Sequence, residues 1–175
     1  MVKYIFDLDL TLYSEHDFKD ANDETEYYSS FRKKTFLKQL LNEVKGNKYL
    51  LTNANLAHTS LVLDKLNLLD VFRDVISSDI ANSYKPYRLI YDIAIREFKI
   101  DKNEPVYYFE DLAENLKTGK KLYNWTTILI SPTNVRKPKY VDYVFNTIED
   151  ALLFFVVKDK FNEKNSLLGK FKQFN

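Results

Sequence analysis

The sequence predicts an α/β domain built on a parallel sheet, and three observations predict it. Six short apolar runs rich in β-branched and aromatic residues punctuate the chain: Val2–Phe6, Tyr49–Leu51, Val75–Ile76, Val106–Phe109, Thr127–Ile130 and Tyr143–Phe145. Between most of them lie longer stretches whose apolar residues recur at helical spacing, and strand–helix–strand alternation calls for parallel strands joined by right-handed crossovers. Several of the runs end in polar residues, which is where a parallel sheet places its ligand-binding groups.

The elements follow in order. Val2–Phe6 runs straight into Asp7-Leu8-Asp9. Ser14–Ser30 is polar, acidic and without clear periodicity, a long excursion that reads either as a lid or binding loop or as a solvated surface loop. Leu37, Leu40, Leu41 and Val44 fall at i, i+3, i+4 and i+7, and Gly46 follows as a C-terminal stop. After Tyr49–Leu51 come Thr52 and Asn53, with a helix opening near Leu56. Leu89, Ile90, Ile93, Ala94 and Phe98 share a helical face behind Pro86, a residue suited to a first turn. Leu112–Leu122 and Thr147–Val157 complete the helices, and Asn124 suits a left-handed turn before the fifth strand. Lys158–Asn175 carries five Lys against Asp159 and Glu163, with Leu167, Leu168, Phe171 and Phe174 at helical spacing. The reading is one domain over 1–157 and a C-terminal extension over 158–175 that docks on it by default, with self-association or a loose tail as the alternatives.

Bulk composition sets the limits. A chain of 175 residues suits one well-buried core. Hydrophobic residues at 45% and charged residues at 29% belong to an ordinary globular protein. A formal net charge of +1 gives no global attraction to nucleic acid or to an acidic membrane. The absence of cysteine excludes disulfides, thiolate zinc sites and cysteine nucleophiles, and fits a reducing compartment. The N-terminus lacks the apolar core of a signal peptide, and no apolar run is long enough to span a bilayer. The expectation is a cytoplasmic protein without a membrane partner.

The chemistry-bearing residues sit at strand ends. Asp7 and Asp9 are two carboxylates just past an apolar strand, a costly placement unless something pairs with them. A hard divalent cation such as Mg²⁺ would do so, leaving Asp7 to act as nucleophile and Asp9 as acid and base. The pair reads equally well as turn and helix-cap residues. Thr52 and Asn53 offer a hydroxyl and an amide to phosphate oxygens near a helix N-terminus, or serve as ordinary caps. Lys85 can neutralise a phosphate. Glu110 and Asp111 form a second acidic pair, with Asp111 a magnesium ligand and Glu110 beside it through water, or with both as acids at a helix N-terminus. Taken alone each signal is modest. Their order along the chain, all on one sheet edge, is what points to a single site.

Asp7-Leu8-Asp9-Leu10-Thr11, Thr52-Asn53, Lys85 and Glu110-Asp111 resemble the four ordered motifs of the haloacid dehalogenase (HAD) superfamily, over Val2 to Val157. The resemblance implies a Rossmann-like three-layer α/β fold and a phosphatase that forms an aspartyl-phosphate. It implies Asp7 as nucleophile, Asp9 as acid/base, Thr52 and Lys85 as phosphate binders, and Mg²⁺ held by Asp7, the Asp9 backbone carbonyl and Asp111. Thr11, Glu110 and Asn115 are expected to support these groups. The second aspartate belongs to the phosphatase and phosphomutase branches; the metal-free dehalogenase branch lacks it. Within the superfamily the chain is similar to pyrimidine 5′-nucleotidase-like members through Leu12-Tyr13, Ala54, His58, Lys85-Pro86, Tyr91 and Asn115. Those relatives insert a sizeable helical cap after the first motif. Here only Ser14 to about Lys48 is available, so the cap is minimal or absent, with residues 14–30 its candidate remnant. His58 is expected on a helix surface without a substrate role.

The expected reaction is therefore Mg²⁺-dependent hydrolysis of a phosphorylated small molecule, a nucleoside monophosphate or a sugar phosphate. Two alternatives stay open: an open-site phosphatase acting on a phosphoprotein or a nucleic-acid end, and a binding or regulatory module that keeps the fold with little turnover. A second subunit could complete the site.

Overall fold

Six strands form one sheet in the order β3-β2-β1-β4-β5-β6, and every neighbouring pair is parallel. They are β1 (Lys3–Phe6), β2 (Asn47–Leu51), β3 (Asp74–Ile76), β4 (Val106–Glu110), β5 (Thr126–Ile130) and β6 (Tyr143–Phe145). The computed structural model describes residues 1–19, 23–133 and 135–172. All six expected strands are present, each within two residues of its expected start.

The sheet is covered on both faces, so its central strands read as unbroken apolar runs. Side chains alternate between the two layers. Tyr4 and Phe6 join a core with Leu50 and Phe109, while Ile5 joins another with Tyr49, Leu51 and Tyr108. On the first face lie α2 (Thr35–Glu43), α3 (Leu56–Leu66) and α7 (Ile148–Lys172), through Leu37, Leu41, Val62, Leu66, Leu152 and Phe155. On the second lie α4 (Ser78–Ala81), α5 (Arg88–Glu97) and α6 (Ala113–Tyr123), through Ala81, Ile90, Tyr91, Ala94 and Leu116. The result is the three-layer α/β arrangement that the sequence predicts. No helix among the described residues is long and apolar enough to cross a membrane.

The chain reverses direction across the sheet between β1 and β4, the topological switch point where open α/β sheets bind ligands. Register makes this useful. Phe6 lies opposite Leu50 on one side and Phe109 on the other, so one further step brings Asp7 beside Glu110.

Three details depart from the sequence reading. Ser14–Ser30 is not simply irregular: a 3-10 turn covers Glu15–Asp17, and α1 covers Glu24–Ser30 with Asp23 as its N-cap. Residues 20–22 of that segment lie outside the described residues. The excursion is fastened by aromatic packing rather than by periodic burial, since Phe18 and Phe31 stack at 5.3 Å and each meets the rings of Tyr13 and Tyr27. Lys34 adds ion pairs to Asp17 at 2.8 Å and Glu149 at 3.4 Å. Second, Pro86 stands two residues ahead of α5, whose N-cap is Tyr87. Third, α7 continues without interruption past Val157 to Lys172, and Lys160 on it pairs with Glu43 at 2.7 Å. The left-handed turn expected at Asn124 is present, with φ 54°.

Candidate active site

The site grows from the end of β1. Asp7 is 5% exposed, and the Lys85 ammonium donates to its Oδ1 at 2.5 Å while the Thr11 hydroxyl donates to its Oδ2 at 3.1 Å. Lys85 also donates to Glu110 Oε2 at 2.7 Å. Glu110 takes further hydrogen bonds from the Tyr108 hydroxyl at 2.8 Å and the Leu112 N–H at 3.3 Å. Glu110 thus pairs directly with Lys85, where the sequence suggested a water-bridged neighbour of Asp111.

Lys85 reaches this point because its backbone is clamped. Asn53 Oδ1 accepts from the Lys85 N–H at 2.7 Å, and Asn53 Nδ2 donates to the Lys85 carbonyl at 3.1 Å. One amide hydrogen and the carbonyl of Asn53, expected to serve phosphate, are committed to holding the lysine. Thr52 is fully buried at the end of β2, and its Oγ1 accepts from the Ala54 N–H at 3.0 Å, which leaves its own hydroxyl hydrogen to donate. Asn55 caps α3 by accepting from the His58 N–H. Asn115 is buried on α6, and its carbonyl accepts from the Tyr91 hydroxyl at 2.8 Å.

Electrostatics marks the same cluster. Burial, then the Glu110 charge, raises the Asp7 carboxyl to about 7 against the opposing pull of Lys85. Burial and the neighbouring Glu110 push Asp111 up to about 8. Burial would also raise Glu110, but Lys85 overrides it and holds that carboxyl below its ordinary value. Lys85, flanked by two carboxylates, has its ammonium stabilised despite complete burial.

One oxygen each from Asp7, Glu110 and Asp111 lie within 4.8 Å of one another. With all three carboxylates ionised, one ammonium would leave two negative charges uncompensated, and a divalent cation brings the charge that lets Asp7 and Asp111 give up their protons. The all-oxygen donor set suits Mg²⁺ or Ca²⁺ rather than a soft metal. The residues present therefore fit a hard divalent cation.

Asp9 has a different setting. Its side chain is 41% exposed, and its Oδ1 accepts from the Tyr13 hydroxyl at 2.5 Å and from His58 Nε2 at 3.0 Å. Burial works to raise this carboxyl, but the two hydrogen bonds outweigh it and hold Asp9 below the usual value. His58 does not stand idle on a helix surface: its Nδ1 meets the Tyr28 hydroxyl at 2.9 Å. Tyr13 and Tyr28 are the residues that sequence reasoning left without a role at the site. Tyr13 directly follows the first motif, which is a signal in the sequence; Tyr28 carries none.

Two cavities flank the strand ends. One of about 790 Å³ is lined by Asp9, Asn53, His58 and Asp79, with Tyr28 and Tyr84 at its sides. The other, of about 420 Å³, lies on the Asp111 side, between Leu10–Asp17 and the loops after β5 and β6.

A family model for haloacid dehalogenase-like hydrolases matches residues 32–122, just over half of the chain. That stretch contains Thr52, Lys85 and Asp111, and the contacts above join Asp7 and Asp9 to it. Comparison with curated proteins finds no match. Among solved structures, the L-2-haloacid dehalogenase from Xanthobacter autotrophicus is similar with a TM-score of 0.68 at 13% identity, covering 87% of this chain and 97% of that one. An HAD phosphatase from Thermococcus onnurineus is similar with a TM-score of 0.67 at 17% identity, covering 86% and 96%. The Bacillus subtilis protein YfnB, bound to magnesium, is similar with a TM-score of 0.64 at 13% identity, covering 87% and 97%. At these identities the likeness speaks for the fold. Together with the family match and the ordered strand-end residues, it means that the chain belongs to the haloacid dehalogenase-like hydrolases.

Proposed function

We propose that the chain is a magnesium-dependent phosphomonoester hydrolase that passes the phosphoryl group through Asp7. The observation that carries this reading is the second aspartate. Asp9 stands two residues beyond Asp7, fixed by Tyr13 and His58 at the wall of a polar cavity. A phosphoryl transfer with an alcohol leaving group needs such an acid, whereas displacement of a halide does not. The Xanthobacter autotrophicus dehalogenase shares the fold, but a dehalogenase reading gives Asp9 nothing to do.

Asp7 attacks phosphorus, and the bond from phosphorus to the leaving oxygen breaks as Asp9, ionised in the free chain and taking up a proton on Oδ2 as the phosphate ester binds, delivers that proton to the leaving oxygen. Water then attacks the phosphorus of the aspartyl-phosphate while Asp9 takes its proton. The bond from phosphorus to Asp7 breaks, inorganic phosphate leaves and Asp7 is regenerated. Lys85 offsets charge on the nucleophile and the transferring group, and the Thr52 hydroxyl has a hydrogen to donate to a phosphate oxygen. Asp7 and Asp111, with the Asp9 backbone carbonyl that the family resemblance implies, would hold Mg²⁺, which supplies neutralising charge between two anions.

The cavity beside Asp9 has the size of a small-molecule site. Asp9, Asp79, asparagines and tyrosines line it, and among the described residues no Lys or Arg does. That lining favours an uncharged, hydroxyl-bearing leaving group such as a nucleoside or a sugar, with pyrimidine nucleotides among the compounds to try first. Phosphate release from nucleoside monophosphates, sugar phosphates and an aryl phosphate, with Mg²⁺ and with chelator, tests the proposal. Release that requires both Mg²⁺ and Asp7 supports it. Release that persists in Asp7→Asn sinks it.

A further inference from the structure

The Asp9 side chain is 41% exposed, and an unrestrained aspartate beyond a strand would sample several rotamers. The structure restrains it through one oxygen. Oδ1 accepts from Tyr13 and His58, while Oδ2 has no hydrogen bond among the described residues. The Tyr13 ring is itself wedged edge-on against Phe18 at 5.8 Å and Phe31 at 5.0 Å. His58 sits in the first turn of α3, where Asn55 holds its backbone N–H at 2.8 Å.

The tautomer of His58 follows from its partners. A carboxylate only accepts, so Nε2 must carry the hydrogen that points at Asp9. In a neutral ring Nδ1 is then the acceptor, and the Tyr28 hydroxyl, 2.9 Å away, must be the donor. The Tyr28 ring stands 5.7 Å from the imidazole, tilted by 55°. A single line of donation runs from Tyr28 on α1, through His58 on α3, to Asp9 after β1. Helix α1 belongs to the excursion that occupies the position of a cap.

We propose that His58 and Tyr28 are positioning residues for Asp9: Tyr28 fixes the Nε2–H tautomer of His58, His58 with Tyr13 clamps Oδ1, and Oδ2 is left as the oxygen that exchanges the proton. The reduced cap thereby reaches into the reaction through a side chain and does more than cover the site. The kinetic side of this inference rests on the phosphatase reading above; the structural side does not.

Two readouts test it on the full chain with Mg²⁺ present. The first compares kcat/KM on an alkyl phosphate, whose leaving group needs a proton, with p-nitrophenyl phosphate, whose leaving group needs little help. General acid catalysis is worth about 10²–10⁴-fold, so losing the positioning of the acid should cost part of that. His58→Ala should lower kcat/KM on the alkyl phosphate by about 10–100-fold and on the aryl phosphate by less than about threefold. Tyr28→Phe should give the same pattern at smaller size, and His58→Gln, which keeps an N–H donor, should recover part of the loss. Equal losses on both substrates, or none, overturn the proposal.

The second readout needs no turnover. The chain has two histidines, His16 and His58, so nitrogen-labelled histidine gives a simple NMR spectrum that His16→Gln assigns. His58 should carry a hydrogen on Nε2, and Tyr28→Phe should mix the tautomers. A ring protonated on Nδ1 alone, or one indifferent to Tyr28→Phe, overturns the positioning. If the expected tautomer appears while wild type releases no phosphate from either substrate, the phosphatase reading fails and the positioning stands.

Discussion

Replacing Lys85 with methionine removes the cation that two buried carboxylates share. The ammonium lies 2.5 Å from Asp7 and 2.7 Å from Glu110, and the three side chains are 1%, 7% and 1% exposed. Removing one member of a buried ion pair costs about 3–5 kcal/mol, because the charge left behind has lost both water and partner. Tyr108 and Thr11 still donate to the carboxylates, which keeps the figure within that range and not above it. For a chain of this size each kcal/mol moves Tm by about 2–4 °C, so Lys85→Met should lower Tm by about 6–20 °C. The assay is thermal and urea unfolding in chelator at pH 8, followed by the fluorescence of the single tryptophan, Trp125. Adding Glu110→Gln should restore at least about 1 kcal/mol, since the two substitutions are coupled through one contact. The pH dependence has a definite sign. Burial and Glu110 already raise Asp7, and losing the lysine raises it further. The folded variant then holds protons that the unfolded chain sheds above about pH 4, so its deficit should shrink as pH falls from 8 to 5. A loss under about 1 kcal/mol that Glu110→Gln does not change would refute the buried-triad argument.

Two other outcomes follow from the same structure. A Cβ on Gly119 would stand 2.9 Å from Trp125 Cε3 and 3.2 Å from Tyr108 Cδ1, so Gly119→Ala should cost about 1–3 kcal/mol in urea unfolding and alter the Trp125 emission; a neutral substitution would contradict this packing. Burial and Glu110 raise Asp111 to about 8 in the metal-free chain, so it carries a proton at neutral pH that a cation must displace. Magnesium affinity by calorimetry should strengthen as pH rises from about 6 to about 8, with proton release. Because the folded value lies above the unfolded one, the metal-free chain should lose stability as pH rises from about 4 to about 8, and magnesium should return it. An affinity indifferent to pH would remove Asp111 from the metal site.

The sheet was legible because buried parallel strands have no polar face to interrupt them, so β1, β4 and β5 stand out as apolar runs. Asp7 and Lys85 were legible as candidate site residues because Asp7 follows an apolar strand directly and the order of the polar segments along the chain is regular. Residues whose position depends on tertiary packing were not. Glu110 meets Lys85 only because the register of β1 on β4 sets Asp7 beside it. The Asn53 side chain is spent on the Lys85 backbone, a contact across 32 residues that no local pattern announces. Helix α1 has seven residues and none is buried, so its sequence carries no amphipathic signal; Tyr27 and Tyr28 act through aromatic and hydrogen-bonded contacts with Phe18, Phe31 and His58. His58 was visible as a residue but not as a contact of Asp9, since that contact exists only where α3 and the end of β1 converge.

The central claim is that Asp7 carries the phosphoryl group and that water attacks phosphorus. Turnover of an aryl phosphate in heavy-oxygen water, quenched in acid and followed by peptide mass analysis, tests it most directly. The account predicts a Mg²⁺-dependent phosphoryl adduct on the peptide containing Asp7, absent from Asp7→Asn, with heavy oxygen in the released phosphate and none in the Asp7 carboxylate. Heavy oxygen in the Asp7 carboxylate would mean attack at carbon, and an adduct on any other residue would mean another nucleophile; either result would contradict the account.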